Sequence, residues 1–134
     1  MTKSQHSFFR IARNVSLMSN FPGARIGAVV VNKHRIISSG YNSKDKCHRL
    51  QVELNKKRFT EPSKGAVHAE LDALLPLINK VDLSNATMYI YREYKDGTIA
   101  MCRPCKSCMS IIRKCGIKKI YYTTPEGYAE ETLV

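Results

Sequence analysis

Two short clusters of chemically versatile residues stand far apart in the chain, and together they constrain the fold more than any other feature. Cys105 follows Pro104 directly with Cys108 three residues on, and His68-Ala69-Glu70 lies about 35 residues upstream. Each cluster opens a stretch with helical patterning. Cysteines three apart share one side of a helix's first turn, where the helix dipole and the free N–H groups favour the thiolate. Taken alone, a Cys-x-x-Cys pair serves redox centres, structural zinc knuckles and iron–sulfur sites alike. It becomes specific only in a fold that aims both helix starts at one point.

The rest of the sequence supplies such a fold. Residues 4–19 place Phe8, Ile11, Ala12, Val15 and Met18 at helical spacing, and Phe21-Pro22-Gly23 ends this core-packing helix. Residues 25–31 form an apolar run rich in β-branched side chains, which Asn32-Lys33-His34 separates from a second strand over 35–40. The pair reads as a β-hairpin. From Tyr41 to Gly65 the chain turns polar and basic, a long loop with room for a short helix over Leu50 to Leu54, and loops of this length are often functional. A helix over Ala66 to Ile78 follows, its last turn broken or kinked by Pro76. Thr87 to Tyr91 is a third strand, and Lys95-Asp96-Gly97 a turn. Pro104 suits the first position of a helix that runs to about Cys115 and stops at Gly116. Ile117 to Tyr122 is a fourth strand, Thr124-Pro125-Glu126-Gly127 a turn, and Tyr128 to Val134 a tail with no element assigned. The order α, β, β, loop, α, β, α, β predicts a mixed sheet with helices packed on it, in a single domain over residues 1–134.

Composition narrows the function. The 43% hydrophobic and 25% charged residues are ordinary for a soluble globular chain, and no apolar run approaches the roughly 18 residues needed to span a bilayer. The N-terminus is polar and helix-like where a secretory signal would be apolar, so a cytoplasmic location with no membrane partner is expected. Five cysteines, four of them between Cys102 and Cys115, make a poor disulfide framework and a better metal-binding set. A net charge of +11 points to an anionic partner, and charge alone does not separate a mononucleotide from a polynucleotide.

One His and two Cys leave the fourth tetrahedral position of a zinc ion open for water, as in catalytic rather than structural sites. Zinc lowers the pKa of that water, and a carboxylate at Glu70 could take its proton and deliver it to a leaving amine. His-x-Glu followed by Pro-Cys-x-x-Cys is the signature of zinc-dependent nucleobase deaminases. With His68-Ala69-Glu70, Pro104-Cys105-Lys106-Ser107-Cys108, the run from Ile26 to Val31, the run from Ile36 to Asn42, and the run from Cys115 to Tyr122, the chain resembles the cytidine deaminase superfamily, and within it the CMP/dCMP deaminase branch. The resemblance covers roughly Phe8 to Tyr122.

That resemblance implies a three-layer α/β/α sandwich around a mixed, five-stranded sheet, one strand more than the residues themselves reveal. It implies His68, Cys105 and Cys108 as ligands of Zn²⁺, Glu70 as the catalytic proton shuttle, and the Ala69 backbone N–H and Asn42 as contacts to pyrimidine and sugar. It further implies a homo-oligomer. The expected reaction is hydrolytic deamination of a small-molecule cytosine nucleotide, dCMP to dUMP with release of ammonia. Asp72 stands where dCMP deaminases commonly have Asn, and Arg103 where tRNA adenosine deaminases usually carry Glu, which argues against the latter.

Other readings stay open at this level. Cytosine in single-stranded DNA or RNA is an alternative substrate, supported by the charge and the basic loop. A non-catalytic zinc-stabilised nucleic-acid-binding module is another, although it leaves Glu70 without a purpose. A closed knuckle of Cys102, Cys105, Cys108 and Cys115 would leave both His68 and Glu70 unexplained. Cys102 to Cys108 also spells the opening of a ferredoxin run, but Ile112-Arg113 stands where its next Cys and Pro belong. Cys47-His48 could contribute to a second zinc site but do not make one by themselves.

Overall fold

The computed structural model describes residues 1–21, 23–43, 45, 50, 51, 53 and 68–133. Most of the basic loop, with Cys47-His48, lies outside the described residues, although Leu50, Gln51 and Glu53 within it are helical. The described elements are α1 (Lys3–Ser16), β1 (Ala24–Asn32), β2 (Arg35–Tyr41), α2 (Ala69–Leu74), β3 (Ala86–Tyr94), α3 (Lys106–Lys114), β4 (Lys119–Thr124) and β5 (Gly127–Thr132). The strands form one five-stranded sheet in the order β2-β1-β3-β4-β5. Only β3 and β4 run parallel, joined through α3, and the other neighbours are antiparallel.

The apolar runs of β1 and β3 alternate between two buried faces, which is why neither shows polar residues at every second position. Val29, Val31, Tyr89, Tyr91 and Tyr121 pack against Phe9 and Ala12 of α1. Ala28, Val30, Met88, Ile90 and Ile120 pack against Leu71, Leu74 and Ile112 of α2 and α3. Helices on both faces make the three-layer sandwich. The fifth strand comes from the tail: Tyr128 to Thr132 continue β5, which pairs antiparallel with β4 from Thr124↔Gly127 to Lys119↔Thr132. Its inward positions are only half-buried, so its apolar signal is weak in sequence.

The contact face of α1 differs from the expected stripe. Phe9, Ala12 and Ser16 are buried, whereas Ile11 and Met18 are 37% and 63% exposed. Gly27 on β1 is the reason: a Cβ there would lie 2.6 Å from the Ser16 backbone nitrogen and closer still to the Ala12 carbonyl oxygen. The helix backbone therefore rests on the strand, and small residues rather than large ones must face it. The hairpin between β1 and β2 turns on Lys33 and His34, both at positive φ (52° and 65°), the geometry of a two-residue primed turn without its usual Asn-Gly.

The two functional helices start later than the patterns suggested. The α-helix of α2 ends at Leu74 and gives way to turns around Pro76, as a proline lacking an N–H requires. Pro104 precedes the N-cap of α3 rather than occupying its first turn, because Cys105 is itself the N-cap and its Sγ accepts from the Cys108 N–H. The other end follows expectation, with Gly116 at φ 92°. Among the described residues, no helix is long and apolar enough to cross a membrane.

Candidate active site

The N-termini of α2 and α3 bring their side chains together at one point. His68 is the N-cap of α2 in extended conformation and makes no side-chain capping bond, leaving its ring to point elsewhere. Its Nδ1 lies 3.3 Å from Cys108 Sγ and 3.6 Å from Cys105 Sγ. These three ligand atoms all lie within 4.8 Å of one another, forming a possible metal site. A tetrahedral zinc ion with ordinary Zn–S and Zn–N lengths sets its sulfur and nitrogen ligands ~3.6 Å apart. The donor set therefore fits zinc in both chemistry and spacing. Cys102 and Cys115 lie outside the cluster: Cys102 is buried in the wall of the adjoining cavity, and Cys115 lines a separate hollow with Leu77 and Ile111. The four-cysteine knuckle thus has no counterpart among the described residues.

The protonation of the cluster follows from its burial and mutual contacts. Cys105 is brought down to about 4, chiefly by the hydrogen bond with the Cys108 thiol and further by His68, against the opposing effect of burial. Cys108 is raised well above the usual thiol range, first because it is the partner that donates to Cys105 and second because it is buried. His68 is raised by its hydrogen bond to Cys105. One thiolate is thus already formed where a cation would sit.

Glu70 lies in the first turn of α2, only 5% exposed, and lines the same cavity without belonging to the ligand cluster. Burial raises its carboxyl above the ordinary carboxylate value, against the pull of the neighbouring His68 charge. A carboxyl tuned upward can both accept and return a proton near neutral pH. Ala69, the first residue of α2, is fully buried, so any role it has toward a ligand belongs to its backbone. Asn42 borders the cavity, but its side chain is already engaged: Oδ1 accepts from the Ile26 N–H at 2.9 Å, and Nδ2 donates to the Ala24 carbonyl at 3.1 Å. Among the described residues, one amide hydrogen and one lone pair are left over for a ligand. Asn42 therefore braces β1 as well as facing the cavity.

Four contributors carry no signal of their own in the sequence. Gln51 is fully buried, and its Oε1 accepts from the His68 N–H at 3.3 Å, holding the extended N-cap of α2. Asp72, the departure from the dCMP-branch pattern, accepts from the Tyr41 N–H at 3.1 Å and ties α2 to β2. Arg92 and Tyr94 line the cavity from the end of β3. A periodicity argument could have placed their side chains on the α2 face, since Met88 and Ile90 lead there, but not shown what they meet. The cavity holds about 380 Å³, within the range of small-molecule sites.

Gly40 sets how closely α2 can approach. A Cβ there would lie 2.6 Å from the Ala69 carbonyl oxygen and closer to the Ala73 backbone nitrogen, so the obstruction is backbone against backbone. Gly40→Ala is expected to destabilise the fold by roughly 1–3 kcal/mol or more and to weaken zinc binding by displacing His68. Denaturant unfolding and zinc titration of the variant check this, and wild-type values for both would refute the account of α2's seating.

Comparison with known proteins agrees with this geometry. Residues 2–124 match the family model described as the cytidine and deoxycytidylate deaminase zinc-binding region. The deoxycytidylate deaminase of Mycobacterium phage D29 is 31% identical over 126 residues, spanning 86% of this chain and 90% of the phage protein. The dCMP deaminase of cyanophage S-TIM5, solved in complex with dCMP and dUMP, superposes with a TM-score of 0.65 at 21% identity, covering 92% of this chain and 84% of the other. Cytidine deaminase from Burkholderia pseudomallei gives 0.65 at 15% identity, covering 98% and 93%, a likeness of fold alone. Fold and site define a zinc-dependent deaminase. The chain belongs to the cytidine and deoxycytidylate deaminase family.

Proposed function

We propose that this enzyme hydrolyses dCMP to dUMP and ammonia, with His68, Cys105 and Cys108 holding zinc and Glu70 moving the protons. The observation that carries the reading is the convergence of these three donors beside a cavity that His68, Cys105 and Glu70 line. The family and the named relative support the nucleotide as substrate class. Zinc, when bound, supplies a Lewis acid that makes water a competent nucleophile near neutral pH.

The chain's own residues do the rest. Glu70 takes a proton from the attacking water as its oxygen bonds to C4 of the cytosine ring, and passes it to N3. It then takes the remaining proton from the new C4 hydroxyl and delivers it to the exocyclic nitrogen, which leaves as ammonia as the C4–N bond breaks and the C4 carbonyl forms. Burial, which raises the Glu70 carboxyl, favours its taking up the proton in this sequence. Asn42, with its remaining amide hydrogen and lone pair, orients the sugar, and the Ala69 backbone N–H holds the pyrimidine edge. An oligomer of identical subunits would be in keeping with the family.

Single-stranded nucleic acid is the competing substrate, and the two differ in salt dependence. A mononucleotide presents one phosphate, whereas a protein that neutralises several phosphates along a strand loses affinity steeply between about 50 and 200 mM salt. The expected result is dCMP turnover whose KM changes only modestly over that range, with no deamination of cytosine-containing oligonucleotides. Editing of oligonucleotides that collapses as salt rises, with free dCMP untouched, would overturn the proposal.

A further inference from the structure

The cavity wall carries two guanidinium groups, and they are not equivalent. Arg103 is neutralised from within the protein: its Nε and Nη2 donate to the two carboxylate oxygens of Glu131 at 2.9 and 2.7 Å, and Tyr122 Oη donates to the same carboxylate at 3.3 Å. Arg92 has no carboxylate partner among the described residues. Its Nη1 donates to the Met101 carbonyl at 3.3 Å, while its Nε is buried with no hydrogen-bond acceptor. The Tyr94 ring lies beside it, 5.8 Å from Cζ to the ring centroid.

A buried donor without an acceptor is costly, and more so when the group is charged. Glu131 supplies the acceptor for Arg103, whereas among the described residues none faces Arg92 Nε, which leaves that place to a partner from outside. The one-sided arrangement matches an anion receptor: a planar fork held at one end by a carbonyl, flanked by an aromatic face, and open to the substrate cavity. We propose that Arg92 is the receptor for the 5′-phosphate of the substrate nucleotide, because it is the carboxylate-free guanidinium in the wall that His68, Glu70 and Cys105 also line. The inference rests on the nucleotide reading above and adds the residue that makes the nucleotide preferred over the nucleoside. Arg103, whose charge is already paired with Glu131, adds less net attraction.

The test compares kcat/KM for dCMP and for deoxycytidine in the wild type, Arg92→Gln and Arg92→Lys, with zinc content measured on each preparation. The wild type should prefer dCMP. Loss of a hydrogen-bonded charge pair predicts that Arg92→Gln loses roughly 10- to 100-fold on dCMP, while deoxycytidine turnover and zinc content stay near wild type. Arg92→Lys, which keeps the charge but not the fork, should fall between the two. It also carries the test if Arg92→Gln fails to fold. Inorganic phosphate should compete with dCMP in the wild type and compete less well in Arg92→Lys. Equal losses on both substrates would mean that Arg92 acts only by holding the segment at Met101, and an undiminished dCMP preference in either variant would mean that the phosphate binds elsewhere. Either result overturns the assignment while leaving the nucleotide reading intact. A wild type with no preference for dCMP over deoxycytidine refutes the nucleotide reading first, before any variant is compared.

Discussion

Glu70→Gln should fold, keep its zinc, and lose turnover by roughly 10²- to 10⁴-fold, the scale of a missing general acid–base. Glutamine preserves the volume in a site where Glu70 is only 5% exposed, so packing is nearly conserved. Because Glu70 stands outside the cluster of His68, Cys105 and Cys108, the metal should be indifferent to the change. The protons are not: an amide can neither take one from water nor return it to a leaving amine. Steady-state kinetics together with elemental analysis of the same sample separate the two effects. Activity within a few-fold of wild type would remove Glu70 from the chemistry, and loss of zinc would make it a ligand or a structural support instead.

The second large effect belongs to the cysteines. Cys105→Ala or Cys108→Ala removes one of three converging donors, and zinc affinity should fall by more than the ~100-fold that loss of an outer-shell partner can cost. Activity should vanish with the metal. Cys108→Ala should be the harsher change for the fold, since Cys108 is fully buried whereas Cys105 is exposed. Cys102→Ser and Cys115→Ser should leave zinc bound, because neither sulfur reaches the cluster. If those two variants lost zinc as well, the four-cysteine knuckle would return, and if Cys105→Ala and Cys108→Ala both kept it, the ligand assignment itself would fall.

Much of this arrangement is legible in the sequence because it is local. A Cys pair at the start of a helix and a His two residues before a Glu at the start of another are patterns of a few residues each, and strong apolar runs marked β1, β3 and β4 around them. What escapes is set by distant partners. β5 is held by pairing with β4 and has half-buried alternation, so its residues read as a tail. The face of α1 depends on Gly27, whose missing side chain lets the helix backbone rest on the strand, so helical spacing alone puts Ile11 inside where the structure buries Phe9.

The same holds at the site. His68, Cys105 and Cys108 could be grouped from chemistry alone, but the engagement of Asn42 with the backbone of Ala24 and Ile26 needed the structure. So did Gln51 behind His68, and the contrast between Arg92 and the Glu131-bound Arg103. The +11 charge pointed toward an anion without naming the residue that meets it. The basic loop concentrates positive charge in the sequence, and it lies almost wholly outside the described residues.

The most direct test of the central claim is to strip the metal with a chelator, add zinc back in measured steps, and follow conversion of dCMP to dUMP at each step. The account predicts that turnover rises in proportion to bound zinc and saturates at one ion per chain, with ammonia released in equal amount to dUMP. Full zinc occupancy without conversion of dCMP, or conversion that persists in the metal-free protein, would contradict it.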